Sequence, residues 1–160
     1  MTKEAMIRET KVRAATTDDL LQLLEFEQGV ITAERPYADN LKEDHITYYD
    51  LEALLTSEEA QLIVAEKDGK LVGAGYAKIL QAKPYKKFSC YAYLGFMYVD
   101  PNSRGKGINK MIIEELTLWA KARDIKEMIL DVYDGNEAAI RAYEKVGFKK
   151  NLVEMRVEID

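Results

Sequence analysis

The chain has 160 residues, with 23 Lys and Arg against 28 Asp and Glu and a formal net charge of −5. Hydrophobic residues make up 48% and charged residues 32%, the balance of a globular protein with a real core, and one domain over 1–160 is expected. The acidic balance argues against nonspecific nucleic-acid binding, which needs a basic face. No stretch approaches the roughly 18 uninterrupted apolar residues of a spanning helix, and the N-terminus carries charges where a signal peptide needs its apolar core. The expected location is therefore the cytoplasm, with no membrane partner. One cysteine, Cys90, and one histidine, His45, exclude an intramolecular disulfide and clustered Cys or His ligation of a metal.

Lys11 to Ala15 reads as a first strand. Thr16 and Thr17 then offer N-caps, Asp18 and Asp19 suit the positive end of a helix dipole, and Leu20, Leu23, Leu24 and Ile31 recur at helical spacing. Pro36 stops this helix, and Tyr37 to Lys42 is a polar loop. Helical spacing across Ile46, Tyr49, Ala53 and Leu54 predicts a second helix. QLIVAEKDGKLVGAGYAKIL holds two strands around the turn Asp68-Gly69, both residues tolerating positive φ. After the charged turn KPYKK, the run FSCYAYLGFMYV is a long strand in which Cys90 is a small core residue. A third helix carries Ile108, Met111, Ile112, Leu116 and Trp119 on one side. Glu127 to Tyr133 is a further strand, NEAAIRAYEKVGF a short helix ended by Gly147, and LVEMRVEI the last strand. The order β-α-α-β-β-β-α-β-α-β defines an α/β (α+β) mixture, a mostly antiparallel mixed sheet flanked by helices.

Charge is unevenly spread. From Ala15 to Glu59 there are twelve acids and two bases, whereas Pro101 to Met128 holds six bases and four acids. The basic stretch contains VDPNSRGKGINK, a strand handing over to a helix through a turn of Arg and Gly. A helix start presents backbone N–H groups without intrahelical partners and partial positive charge. Gly105 and Gly107 remove side chains that would block those amides, and Arg104, Lys106 and Lys110 add charge, so the turn suits a pyrophosphate. It is neither G-x-x-x-x-G-K-[S/T], since Ile-Asn follows Gly107, nor G-x-G-x-x-G.

V-D-P-N-S-R-G-K-G-I-N resembles the acyl-CoA-binding motif of the GCN5-related N-acetyltransferase (GNAT) superfamily, (R/Q)-x-x-G-x-(G/A) after a strand ending in V-x-P. Arg104, Gly107 and Ile108 fall on it, while Asn109 replaces its final Gly or Ala. The segment Asn136 to Phe148 matches the second hallmark, N-x-x-A-x-x-x-Y-x-K-x-G-F, and the element order agrees from end to end. The resemblance implies the GNAT fold and acetyl-CoA as acyl donor, with no metal. It implies that the backbone of Met97, Tyr98 and Val99 meets the pantetheine arm and that amides of Gly105, Lys106, Gly107, Ile108, Asn109 and Lys110 hold the pyrophosphate beside Arg104. Asn136 would contact the cofactor arm, and Tyr143 would bind there and protonate the departing thiolate.

The implied activity is transfer of an acetyl group to a primary amine by direct attack in a ternary complex. The alternative is a non-catalytic acyl-CoA sensor or interaction module of the same fold, favoured by Gly95 and Asn109. The amine must lose a proton first, because its reference pKa is about 10.4. Family members often carry a Glu four residues before the Val of V-x-P, where this chain has Gly95. Glu34, His45, Tyr93, Asp131 or a water chain are the candidate replacements. The acidic first third, with Tyr37, Tyr48 and Tyr49 at the entrance, predicts a cationic acceptor, either a small molecule or a peptide or protein amine. LVEMRVEI is apolar enough to permit a homodimer.

Overall fold

The computed structural model describes residues 2–160, without the side chains of Ile7 and Arg8. Five strands form one sheet in the order β1-β2-β3-β4-β5. They are β1 (Thr10–Ala14), β2 (Ala60–Lys67), β3 (Lys70–Gln81), β4 (Cys90–Val99) and β5 (Met128–Leu130). The first four run antiparallel, as meander strands joined by short turns do, and β4 pairs with β5 in parallel because a helical crossover joins them. At the tight β2–β3 turn, Asp68 (φ 52°) and Gly69 (φ 74°) both adopt the left-handed conformation, as the Asp-Gly pair predicts.

Helices cover both faces of the sheet. On one face lies α4 (Ile108–Lys121), whose Ile108, Ile112, Ile113 and Leu116 are all buried against Ile63, Ala77, Ala92 and Leu94. On the other lie α2 (Leu20–Glu34) and α3 (Leu51–Thr56), where Leu23, Phe26, Val30 and Leu51 pack on Leu62, Val64, Tyr76 and Phe96. Truncating one of the buried leucines to Ala costs about 2–5 kcal/mol, so both layers hold the sheet in register. Asp19 fixes the start of α2: it accepts from the Thr16 N–H at 2.8 Å and takes a two-pronged contact from Arg13 of β1 at 2.9 and 3.0 Å. The last helix, α5 (Glu137–Lys145), ends in a Schellman closure, the Phe148 N–H donating to Tyr143 O at 3.1 Å over Gly147 at φ 106°.

Four expectations change. A short helix, α1 (Lys3–Glu9), precedes β1. The second predicted helix forms only as α3, from Leu51, because the buried Glu27 carboxylate accepts the N–H groups of Tyr48 (2.8 Å) and Tyr49 (2.7 Å) and holds those residues in an extended loop. Asp50 then starts the helix by accepting from the Ala53 N–H at 3.1 Å. The strand predicted over Glu127 to Tyr133 is confined to Met128–Leu130. The final strand over LVEMRVEI is not formed: Leu152 is 88% and Ile159 86% exposed, and β5, three residues long, offers a partner few ladder groups.

Candidate active site

The strand that leads to the glycine turn is bent at its centre. Ala74 of β3 faces Tyr98 and Tyr76 faces Gly95, so Phe96 and Met97 oppose the single Gly75, a bulge in which Phe96 takes φ 55°. Left-handed backbone at a bulky residue costs about 1–2 kcal/mol, offset here by a Phe96 ring that is 2% exposed against Tyr49 at 5.0 Å. Pairing between β4 and β5 stops at Leu94 and Leu130. From Gly95 to Val99 the β5-facing edge of β4 therefore has no ladder partner among the described residues.

Beyond Val99 the chain makes a single 3-10 turn over Pro101–Ser103, capped by Asp100, which accepts from the Asn102 N–H at 3.1 Å. Arg104 Nε donates to the Val99 carbonyl at 3.0 Å and ties the guanidinium to the strand end. Gly105 (φ 74°) and Gly107 (φ 88°) are left-handed, and a Cβ placed on Gly105 would meet no atom within 4 Å, so the turn faces open space. Gly107 is the N-cap of α4 and supplies no capping side chain, which leaves the amides of the first turn, Ile108 to Lys110, to an outside acceptor. Asn109 Oδ1 is buried without a partner and so does not stand in that open space. These residues fit a diphosphate. Tyr98 and Arg104 also line a cleft of about 460 Å³ with Gln28, Gly29, Thr32 and Ala33 of α2.

Asn136 and Tyr143 sit on α5. Asn136 is its N-cap, Oδ1 accepting from the Ala139 N–H at 3.3 Å, so its amide NH₂ remains a donor. Tyr143 packs edge-on against Phe148 at 6.0 Å and belongs to the same apolar cluster as Met97, Val99 and Ile108. The helix tyrosine, the strand end and the start of α4 thus pack on one core. Burial first, and the Glu34 charge second, push the Tyr143 hydroxyl up to about 12.

The four candidate proton acceptors separate. His45 is exposed in the loop after α2. Asp131 is exposed and accepts from the Tyr93 hydroxyl at 2.8 Å, and burial together with that bond raises the Tyr93 hydroxyl above its ordinary range. Glu34 is half-buried at the end of α2. Desolvation raises its carboxyl, opposed by the neighbouring Tyr48 hydroxyl. Position 95 could hold no carboxylate in this packing, since a Cβ there would stand 2.5 Å from Tyr76 Oη. Tyr76 and Tyr133, both with raised hydroxyls caused first by burial, and Glu27 are residues that sequence reasoning missed. No sequence signal pointed to them: the pairing of Tyr76 with Gly95 is set by the register across the bulge.

The fold agrees with the comparisons. The chain matches the Acetyltransferase (GNAT) family over residues 20–148, and it belongs to that family. It is 33% identical over 99 residues to the probable N-acetyltransferase camello of Xenopus laevis, a match covering 62% of this chain and 43% of the relative. The chain thus spans less than half the length of that relative. The fold is shared with the BH1408 protein of Bacillus halodurans (tetramutant; TM-score 0.82, 22% identity, 93% of this chain and 99% of that one). It is also shared with a predicted acetyltransferase of Clostridium acetobutylicum solved with acetyl-CoA (TM-score 0.74, 20% identity, 93% and 96% coverage).

Proposed function

We propose that the protein is an N-acetyltransferase that moves an acetyl group from acetyl-CoA to a primary amine of a small cationic molecule, peptide or protein. The observation that carries this reading is that Tyr143, Met97, Val99 and Ile108 belong to one apolar cluster, next to a left-handed glycine turn that faces open space at the start of α4. Acetyl-CoA is the donor substrate and supplies a thioester. In this reading the amides of 105–110 and Arg104 hold its diphosphate, while the backbone of Met97, Tyr98 and Val99 runs along its amide-bearing arm and Asn136 adds a side-chain donor. Lys106 and Lys110 contribute charge at the turn. No covalent enzyme intermediate is needed, because a neutral amine attacks the thioester carbon directly.

Tyr143 stays fully protonated at neutral pH, the form a donor to the leaving sulfur requires. The proton that the nitrogen loses as the new N–C bond settles refills the phenol oxygen, so one proton per turnover is left for a base. The acidic first third of the chain supports a cationic acceptor. The same reading places the reaction in the cytoplasm. It permits a homodimer through the exposed Leu152, Val153, Met155, Val157 and Ile159, which size-exclusion chromatography with light scattering would detect as twice the chain mass.

Tyr76 over Gly95 is the specific observation in favour of the second reading, an acyl-CoA sensor without turnover. Calorimetric titration with acetyl-CoA, followed by thiol release with a pool of amines, separates the two. Saturable binding with amine-dependent release supports the transferase. Binding without release supports the sensor, and no binding removes both.

A further inference from the structure

A cleft of about 480 Å³ lies between the start of α2 and the start of α3. Leu20 and Leu24 of α2 and Leu51 of α3 give it an apolar wall, and Asp50 and Glu52, both exposed, add two negative charges. Leu21, beside it on α2, is 81% exposed, and Leu24 is 41% exposed. Leucines at i and i+3 are neighbours on a helix surface, and contiguous apolar surface rimmed by polar groups marks a docking site where scattered leucines do not. Tyr48 and Tyr49 line the cleft from the loop, where Glu27 fixes their N–H groups, so this side of the cleft is formed before anything enters it.

The β3–β4 connection displays the opposite chemistry. The Ala82 N–H donates to Ser89 O at 2.9 Å and the Lys86 N–H to Lys83 O at 2.9 Å, the second closing a turn with Pro84 at the position proline favours. The connection is thus held in one shape although Lys83 to Lys87 are all exposed. Tyr85 is 78% exposed; Lys86 Nζ stands 5.8 Å from its ring centre, and Lys87 Nζ 5.2 Å from that of Phe88. Neither Lys83, Lys86 and Lys87 nor Asp50 and Glu52 form an ion pair among the described residues. Both features lie at one end of the sheet. Lys78, near the end of β3, pairs with Ala60 at the start of β2, and the Ile79 N–H donates to Glu59 O at 2.9 Å, so the basic connection leaves the sheet beside the segment that follows α3. The Ala15 N–H donates to Leu62 O at 2.8 Å, which sets the start of α2 at the same end.

We propose that two copies of this chain pair through this end of the sheet, the 83–88 segment of each seated in the Leu20, Leu24 and Leu51 cleft of the other. A basic, aromatic loop and an acidic, apolar cleft on one end of a molecule make a self-complementary surface, because a two-fold axis brings each against the other twice. Lys83, Lys86 and Lys87 of one copy meet Asp50 and Glu52 of its partner, and the Tyr85 ring covers the leucines. The ring supplies buried area, while the charges set register and exclude other pairings. The net charge of −5 makes two copies repel on average, so association demands this local match. The contact is separate from residues 152–159, and it needs neither acetyl-CoA nor turnover.

The test is sedimentation velocity with light scattering on the full chain over a concentration series. The unaltered chain should reach twice the chain mass, and added salt should loosen the dimer severalfold by screening the charges. Lys86→Glu with Lys87→Glu, and separately Asp50→Asn with Glu52→Lys, should each weaken self-association at least tenfold, with circular dichroism like that of the unaltered chain; Asn at position 50 keeps the cap of α3. Mixed one to one, the two variants should pair again, since the reversed loop meets the reversed cleft and the unaltered loop meets the unaltered cleft. Tyr85→Ser should weaken pairing with no change of charge. An unaltered chain that stays monomeric throughout the series would overturn the proposal. So would two charge variants that fail to pair on mixing, or a dimer indifferent to both sets of substitutions, as one held through residues 152–159 would be.

Discussion

On the β5 side of β4, the proposed donor region is made of backbone: an unpaired strand edge, two left-handed glycines and the first amides of α4. On the α2 side, the proposed acceptor region is made of side chains drawn from separate segments, Glu27 and Glu34 from one helix and Tyr48 and Tyr49 from the loop that follows. The difference follows from what each half must recognise. A diphosphate is met by amides in one fixed geometry, which demands glycines at set spacings and leaves a motif. An amine of particular shape is met by charge and ring surface, which many arrangements can supply. In the transferase reading, Tyr143 acts where the two halves join.

Substitutions that separate the halves should therefore have separable effects, and the largest falls at their junction. Tyr143→Phe should lower kcat at least 100-fold, because general acid assistance contributes 10²–10⁴, while calorimetric affinity for acetyl-CoA stays within threefold. Next is Glu27→Gln, which weakens two charge-assisted bonds to the acceptor loop. We expect a loss of about 2 kcal/mol in chemical unfolding and an acceptor KM raised severalfold with the donor KM unchanged.

Asp19→Asn tests a site outside both halves. Arg13 bonding, opposed in part by burial, holds the Asp19 carboxyl below its ordinary value, so its stabilisation is fully present above the unfolded carboxylate pKa of about 3.9 and is lost as pH falls through the folded value. Unfolding should show a deficit of about 1.5 kcal/mol at pH 7 that shrinks below pH 4, with kinetics unaffected. The smallest effect expected is in the donor half: Gly107→Ala forces a side chain into φ 88° at a cost of about 1 kcal/mol. Acetyl-CoA should bind about fivefold more weakly, with acceptor KM unchanged.

The proposed donor half leaves a motif in the sequence because its determinants are contiguous, from Val99 to Lys110 and from Asn136 to Gly147. The meander and the α4 crossover were legible for the same reason, since period and turn chemistry are local. The acceptor half was not. Ile46 and Tyr49 have helical spacing, yet the loop is extended because Glu27, about twenty residues earlier, claims its N–H groups. Tyr76 covering Gly95 depends on the register across the bulge, which no spacing along either strand reveals. Glu34 is one candidate base among four in the sequence, and only the fold brings the Tyr48 hydroxyl beside it. LVEMRVEI has strand composition, but a strand needs a partner edge, and the three residues of β5 do not hold it.

The most direct measurement of the central claim is continuous thiol release from acetyl-CoA with and without a pooled set of primary amines, using the unaltered chain and Tyr143→Phe side by side. The account predicts saturable, amine-dependent release from the unaltered chain that falls at least 100-fold in the variant while both bind acetyl-CoA alike. Release independent of amine, or equal in the two proteins, would contradict it.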